Sequence, residues 1–443
     1  MSKLLLTFYG DDFTGSTDAL EQLTLAGIRT ALFIEPPTAA QLARHKNLQA
    51  IGVAGMTRSM KPAAMEKVLR PAFKKLKALG ARHVHYKVCS TFDSSPRTGS
   101  IGCVIDVAAR MFPAPFVPLL VAAPALGRYT IFGNHFARYG IGSTGEIHRL
   151  DRHPSVSQHP VTPMQEADLR RHLARQTRKK IALFDILQVS LPMKEARAAL
   201  QRLLAGKPDV VLFDAVNAEQ LARIGALIDR YAKPGQPLFS VGSSGVEMAL
   251  GAFWNIKNRS PSKPPASVKQ ILVGSGSCSP VTSAQINWAL KNGFVEVPLD
   301  IRNLISNRSA EIQRAVEKTA KFLRARRSVI VHTTRSGSDE RISSRLKNKT
   351  AQILGTALGK VLRGALKHSD VRRLCLAGGD TSSFAARALG IEAVEMTARL
   401  TPGAPLCRAV APGSAVDGRE MVFKGGQVGA ENYFEIVKRG KIL

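Results

Sequence analysis

The chain has 443 residues, 44% of them hydrophobic, and a formal net charge of +30. The length exceeds one ordinary core and suits two or three domains of roughly 100–200 residues, while the apolar content excludes a disordered chain. The charge points to anionic ligands, but it is spread over stretches such as 170–180, 321–327 and 341–349, and no basic run is interleaved with aromatics, so nucleic acid is set aside as the main partner.

Met1-Ser2-Lys3 runs directly into a short apolar stretch at 4–8, too brief for a signal-peptide core and without a small-residue cleavage site. The longest apolar run, 112–126, is broken by Pro113, Pro115, Pro118 and Pro124, whereas a membrane-spanning helix needs ~20 apolar residues. Cys89, Cys103, Cys278, Cys375 and Cys407 are odd in number and have no CxxC spacing, which reads as free thiols in a reducing compartment. A cytoplasmic protein with no membrane partner is expected, and self-association is left open.

In chain order, apolar strands are expected at 4–8, 30–34, 50–54, 83–88, 117–122, 181–184, 210–213 and 238–241, with helical patterns at 16–26, 63–79, 166–176 and 218–231. A polar, proline-rich stretch at 257–268 reads as a linker. Strands then resume at 271–273, 295–299, 329–332 and 374–377, with helices at 281–291, 310–326, 350–366 and 382–389. Alternating strand and helix with continuous apolar strands predicts an α/β protein of two three-layer domains with mostly parallel sheets. The expected divisions are 1–256, the linker 257–268, and 269–443. Ligands of such sheets bind beyond the carboxyl ends of the strands, and a cleft between the domains is the expected place for the active site.

The first strand ends in Tyr9-Gly10-Asp11-Asp12-Phe13-Thr14-Gly15-Ser16. Two adjacent carboxylates at a strand-to-helix turn can bind hydroxyls or a metal, or act as a base, although one of them suffices to cap the helix. The loop from Lys87 to Gly102 offers Lys87 and Arg97 as cations and Ser90 and Thr91 as hydroxyls, a set suited to a sugar carboxylate. Its plainer reading is a surface loop with a helix cap at Ser100. His83 and His85 share a strand face with Lys87 and read as that face rather than as zinc ligands, since no third ligand is evident. Between Ala123 and His135, Arg128, Asn134 and His135 can reach a polar ligand, and His135 can equally be a structural hydrogen-bond partner.

The second half carries glycine-rich turns at Gly274-Ser275-Gly276-Ser277-Cys278-Ser279, at Gly378-Gly379-Asp380-Thr381, and at Lys424-Gly425-Gly426-Gln427-Val428-Gly429. Glycine lets backbone N–H groups approach phosphate, and a helix N-terminus favours the anion. GxxxxGK(S/T) is absent and the third glycine of a dinucleotide fingerprint is missing, so phosphate binding is supported without identifying the nucleotide.

In combination and order these motifs resemble the four-carbon acid sugar kinase family. The resemblance rests on Gly10 to Gly15, Lys87 with Ser90-Thr91 and Arg97, Gly127-Arg128 with Gly133 and His135, Val273 to Ser279, Gly378 to Ser382, Pro402-Gly403, and Lys424-Gly425 with Gly429. It implies ATP-dependent phosphorylation of a hydroxyl on an acid such as threonate, erythronate or 3-oxo-tetronate. The first domain would hold the acid through Lys87, Ser90, Thr91, Arg97, Arg128 and His135, with Asp12 or Asp11 taking the hydroxyl proton. The second would hold ATP through Ser275, Ser277, Thr334, Arg335, Gly378, Gly379, Asp380, Thr381 and Gly425. Mg²⁺ would accompany ATP, with its ligands unassigned. The loop departs from the family pattern in carrying Phe92-Asp93-Ser94-Ser95-Pro96 before Arg97. The competing readings are a nucleotide-linked hydroxy-acid dehydrogenase, and a sugar-acid or nucleic-acid binding protein without catalysis.

Overall fold

A computed structural model describes residues 4–140, 144–159, 161–233, 235–256, 264–333 and 350–441. The chain divides into two compact units: Met1–Ala31 with Pro36–Ser260, and Leu32–Glu35 with Pro261–Leu443. Residues 257–263 of the expected linker lie outside the described residues.

The strands are β1 (Leu6–Gly10), β2 (Thr30–Phe33), β3 (Ala50–Ala54), β4 (His83–Lys87), β5 (Val117–Leu120), β6 (Arg128–Ile131), β7 (Asn134–Arg138), β8 (Ile147–Arg149), β9 (Ile181–Phe184), β10 (Val210–Phe213), β11 (Leu238–Gly242), β12 (Ile271–Ser275), β13 (Val295–Pro298), β14 (Val329–His332), β15 (Arg373–Ala377), β16 (Ala393–Thr401), β17 (Ala404–Val410) and β18 (Glu420–Lys424).

In the first unit, parallel strands run in the order β3-β1-β4-β11-β5-β10-β9. The two-residue period of β4 decides what each face receives. Val84 and Tyr86 join an apolar cluster with Met65, Leu69 and Phe73 of the helix Pro62–Ala78 and with Val104 and Ile105 of the helix Ile101–Ala109. Phe73 packs edge-on against Tyr9, Tyr86, Phe112 and Phe239. Burying such a side chain contributes roughly 1.5–3 kcal/mol. His83, His85 and Lys87 point the other way, toward Asp229, Glu247 and Asp18 on the helices Ala218–Asp229, Gly245–Trp254 and Phe13–Leu25. One sheet between two helix layers is the result.

The second unit repeats the plan in the order β13-β14-β12-β15-β18-β17-β16. Pairing is parallel from β13 to β18 and antiparallel through β17 and β16. Leu32 and Phe33, counted with this unit, pair antiparallel with Val394 and Ala393.

Most expected elements occur within a residue or two of their predicted ends. The helix expected at 166–176 shrinks to Leu169–Ala174, because Asp168 caps it and accepts from the Arg170 N–H. The segment read as a long loop after Ala123 instead forms the antiparallel sheet β6-β7-β8. Its first hairpin turns on Phe132 and Gly133, with φ of 48° and 80°. Two positive φ values favour the right-handed twist of a tight hairpin, but Phe at the first position hides the usual Asn-Gly signal.

The helices Ala218–Asp229 and Gly245–Trp254 meet closely at Gly225, where an added Cβ would lie 2.0 Å from the Ala249 carbonyl oxygen. Since that neighbour is backbone, Gly225→Ala should destabilise the protein by about 1–3 kcal/mol. Denaturant unfolding reads the loss, and an unchanged midpoint would contradict the close helix contact.

Candidate active site

The carboxyl ends of β3, β1, β4 and β11 lie side by side, with Gly10 opposite both Ala54 and Lys87, and Lys87 opposite Gly242. The chain leaves β1 through Asp11 and Asp12, and their roles separate. Asp12 is the N-cap of the helix Phe13–Leu25: its Oδ1 accepts from the Gly15 N–H at 2.7 Å and its Oδ2 from the Thr14 hydroxyl at 2.9 Å. Asp11 takes no part in the cap. Its two carboxylate oxygens accept a fork from Arg58 Nε and Nη2 at 3.2 and 3.0 Å, while Arg58 Nη1 reaches Asp12 at 2.9 Å. Burial raises the Asp11 pKa against the pull of Arg58. For Arg58, burial alone would favour losing the proton, but Asp11 and Asp12 outweigh it and hold the guanidinium charged.

Lys87, the last residue of β4, is 1% exposed. Its ammonium donates to the Val88 carbonyl at 2.9 Å and lies 3.5 Å from Asp18 Oδ2. Burial disfavours its charge, yet Asp18 and Asp11 raise its pKa overall. An added Cβ on Gly15 would come within 3.4 Å of this ammonium and 2.6 Å of Asp12 Oδ1. Glycine therefore keeps the approach open.

The loop after β4 is pinned on several sides. Phe92 is fully buried with φ of 58°, a left-handed conformation costly for a side chain of its size. Thr91 Oγ1 donates to Asp93 at 2.8 Å, and Ser94 Oγ meets His172 Nε2 at 3.0 Å. Gly99, with φ of 60°, would clash through a Cβ with the Arg58 carbonyl at 2.4 Å, so it docks this loop onto the loop bearing Arg58. Ser100 caps the helix Ile101–Ala109.

Three expected acid-binding residues stand differently from their prediction. His135 is fully buried, with Nδ1 2.8 Å from the Thr130 hydroxyl and Nε2 2.9 Å from the Ser90 carbonyl. Both ring nitrogens are spent on holding Ser90, so the structure corrects a direct ligand contact to a positioning one. Arg128 Nη1 donates to the carbonyls of Leu126, Gly127 and Arg138, which makes it a loop clamp. Its buried Nε has no partner, and burial lowers its pKa. Arg97 is exposed, and Arg58, overlooked in the sequence, occupies the site instead. Asp18 and Glu247 were also missed. Glu247 follows the Gly242-Ser243-Ser244-Gly245 turn at the end of β11, the same strand-turn-helix pattern that marked Asp11.

In the second unit, Ser275, Ala377 and Lys424 end the adjacent strands β12, β15 and β18 in register. Ser275 is fully buried and its hydroxyl has no partner. Gly276 lies so close to Thr381 that a Cβ would fall 2.1 Å from its methyl group, and Gly378 has φ of 125°. These turns open the helices Pro280–Lys291 and Asp380–Leu389, whose N-terminal N–H groups suit phosphate. Lys424 is fully buried, donates to Thr282 Oγ1 at 3.0 Å, and is pushed down to about 8 by burial. Gln285 Nε2 reaches the carbonyls of Val428, Gly429 and Ala430 at 3.0 Å, fixing the last glycine-rich turn. Thr334, Arg335 and the Asp380 side chain lie outside the described residues. Among the described residues, no cluster of three or more His, Cys, Asp and Glu side chains could hold a metal, and no helix is long and apolar enough to cross a membrane.

Residues 6–250 match the model of a sugar-binding N-terminal domain, and residues 272–434 that of a nucleotide-binding C-terminal domain. A 3-oxo-isoapionate kinase of Paraburkholderia graminis is 42% identical, the match covering 99% of this chain and 95% of the relative. The chain belongs to the four-carbon acid sugar kinase family. A 3-oxo-tetronate kinase of Pseudomonas savastanoi pv. phaseolicola is 27% identical over 97% of this chain and 96% of its own. A solved Salmonella typhimurium structure, described as a tRNA synthase, shares the fold with a TM-score of 0.77 at 24% identity and full coverage of both chains. A Haemophilus influenzae structure does so with 0.72 at 23% identity, covering 98% of this chain and 99% of that one. As a family member the protein is a kinase, a phosphotransferase with an alcohol group as acceptor, and the dehydrogenase and non-catalytic readings fall away.

Removing Arg58 would strand two buried carboxylates. Arg58→Ala should cost about 3–5 kcal/mol near neutral pH. Buried, unpaired carboxyls bind protons more tightly than unfolded ones, so the deficit should shrink as the pH falls toward about 4. Unfolding of wild type and variant at several pH values checks this, and a small or pH-independent deficit would contradict the pairing.

Proposed function

We propose that the protein transfers the γ-phosphoryl group of ATP to a hydroxyl of a 3-oxo sugar acid, with 3-oxo-isoapionate the first candidate and 3-oxo-tetronate the second. The buried Asp11–Asp12–Arg58 group at the carboxyl edge of the first sheet carries the reading. The names of the relatives support the choice of acid.

In this reading Lys87, Ser90 and Thr91 face the acid, with His135 and Arg128 holding their loop in shape. The hydroxyl oxygen attacks the γ-phosphorus, the bond from that phosphorus to the ADP oxygen breaks, and the hydroxyl proton passes to Asp11. Asp11 is preferred as the base because Asp12 is committed to the helix cap and because burial favours a protonated Asp11. Asp12 positions the reacting end through Arg58. The nucleotide phosphates lie against Ser275, Ser277, the turn from Gly378 through Gly379 and Asp380 to Thr381, and Gly425, with Thr334 and Arg335 as further contacts. Lys424 supports this assignment: among the described residues no carboxylate pairs with it, and an arriving phosphate would satisfy its charge. Mg²⁺ offsets phosphate charge and is carried mainly by the nucleotide, as suits an ion that keeps several waters and takes few protein ligands. The protein's contribution is positioning and electrostatics.

The test is ADP release by purified protein with MgATP and a panel of sugar acids. The highest kcat/KM is expected with 3-oxo-isoapionate, and Asp11→Asn should lower kcat by about 10²–10⁴-fold, the range for loss of a general base. A panel without a phosphorylated acid would refute the substrate class, and near-normal turnover of Asp11→Asn would refute the base.

A further inference from the structure

Behind Lys87 lies a buried carboxyl that the reaction as described does not use. Glu247, on the helix Gly245–Trp254, is 0% exposed, and neither of its carboxyl oxygens has a hydrogen-bond partner. Its Oε1 lies 3.6 Å from His85 Nε2, itself buried and without a hydrogen bond. An ionised carboxylate left so bare would carry a large desolvation cost.

His85 indicates the protonation state that fits. Its Nδ1 lies 3.2 Å from the Ser240 carbonyl oxygen, which can only accept. Nδ1 must therefore carry a hydrogen. Burial and the nearby Lys87 push the His85 pKa down to about 3, so the ring is neutral and Nε2 is an acceptor. A group facing Nε2 complements it only by donating, and Glu247 can donate only with a proton on its carboxyl.

We infer that Glu247 is a proton-bearing positioning residue for Lys87. Protonated, it places no negative charge behind the lysine, and the ammonium stays with Asp18 and the open side beside Gly15. Ionised, it becomes a third carboxylate competing for that ammonium, alongside Asp18 and Asp11, and draws it inward from the acid-binding face. The elements packed around Glu247 bring other ionisable groups. The helix Phe13–Leu25 carries Asp18 and the buried Glu21, and β4 carries His83, His85 and Lys87. The helix Ala218–Asp229 ends in Asp229, which is engaged by His83, Arg82 and Trp254. Burial raises the Glu247 pKa to about 8 against the pull of Lys87, so the switch in charge falls within a range that kinetics can reach.

The experiment compares the pH profile of kcat/KM for the acid in wild type and in Glu247→Gln, whatever the variant's plateau rate. In wild type the parameter should fall above the Glu247 pKa by roughly tenfold per pH unit. The KM for the acid should rise while that for ATP stays level, and the falling limb should be missing from Glu247→Gln. The same limb in both proteins would overturn the inference. This kinetic readout rests on the proposed sugar-acid activity, so a second readout avoids turnover altogether. In isotope-labelled lysine NMR of wild type, assigned with Lys87→Arg, the Lys87 ammonium signal should shift with the same midpoint. Infrared spectroscopy of wild type should show a protonated carboxyl lost over that range. A Lys87 signal that is flat through this range, or no such carboxyl at neutral pH, would overturn the inference even if no acid were phosphorylated and even if Glu247→Gln failed to fold.

Discussion

Much of the first unit's site depends on one guanidinium. Arg58 spans Asp11 and Asp12, two adjacent carboxylates that are otherwise buried side by side. Like charges in that position repel, and each would be driven toward protonation without the arginine. Planar, multidentate Arg can serve both carboxylates at once, as a lysine point charge cannot. The surroundings are shaped to keep it there. Gly99 permits the following loop to lie against the Arg58 backbone, Gly15 leaves room beside Asp12 and Lys87, and the Asp11 carbonyl accepts the Arg58 N–H at 3.1 Å.

The two units solve related problems with the same local device and opposite electrostatics. Each ends a parallel strand in a fully buried lysine, Lys87 on β4 and Lys424 on β18. Lys87 is surrounded by carboxylates that outweigh its desolvation and raise its pKa, whereas Lys424 has a hydroxyl and the face of the Tyr433 ring, and burial lowers its pKa to about 8. A lysine balanced by acids can orient a polar, hydroxylated ligand without an excess of positive field. A lysine left short of an anion is suited to phosphate, where backbone N–H groups and helix N-termini add to the attraction. The net charge of +30 is consistent with a surface that draws anionic ligands inward.

The parallel cores were legible in the sequence because runs such as Val210–Phe213 and Val329–His332 are apolar at every position, as strands covered on both faces require. The hairpin at Phe132-Gly133 was not, since its positive φ falls on a residue type that seldom adopts it. In the site, Asp11, Asp12 and Lys87 were found because they sit where strands end and helices begin. Which aspartate caps the helix could not be read from two identical neighbours; the Gly15 N–H contact separates them. Arg97 and Arg58 are both arginines in polar loops, and only the fold shows that the first is exposed while the second reaches the carboxylates. His135 illustrates a further limit, because its burial and its bonds to Thr130 and Ser90 depend on a strand pairing that the sequence did not reveal.

The most direct measurement is a crystal structure of the protein with a 3-oxo sugar acid and a non-hydrolysable ATP analogue. The account predicts the acid at the carboxyl ends of β3, β1, β4 and β11, with its reacting hydroxyl within about 2.6–3.2 Å of Asp11 and the analogue's phosphates against the Ser275 and Gly378 turns. An acid bound elsewhere, or bound at this edge with no hydroxyl in reach of Asp11, would contradict it.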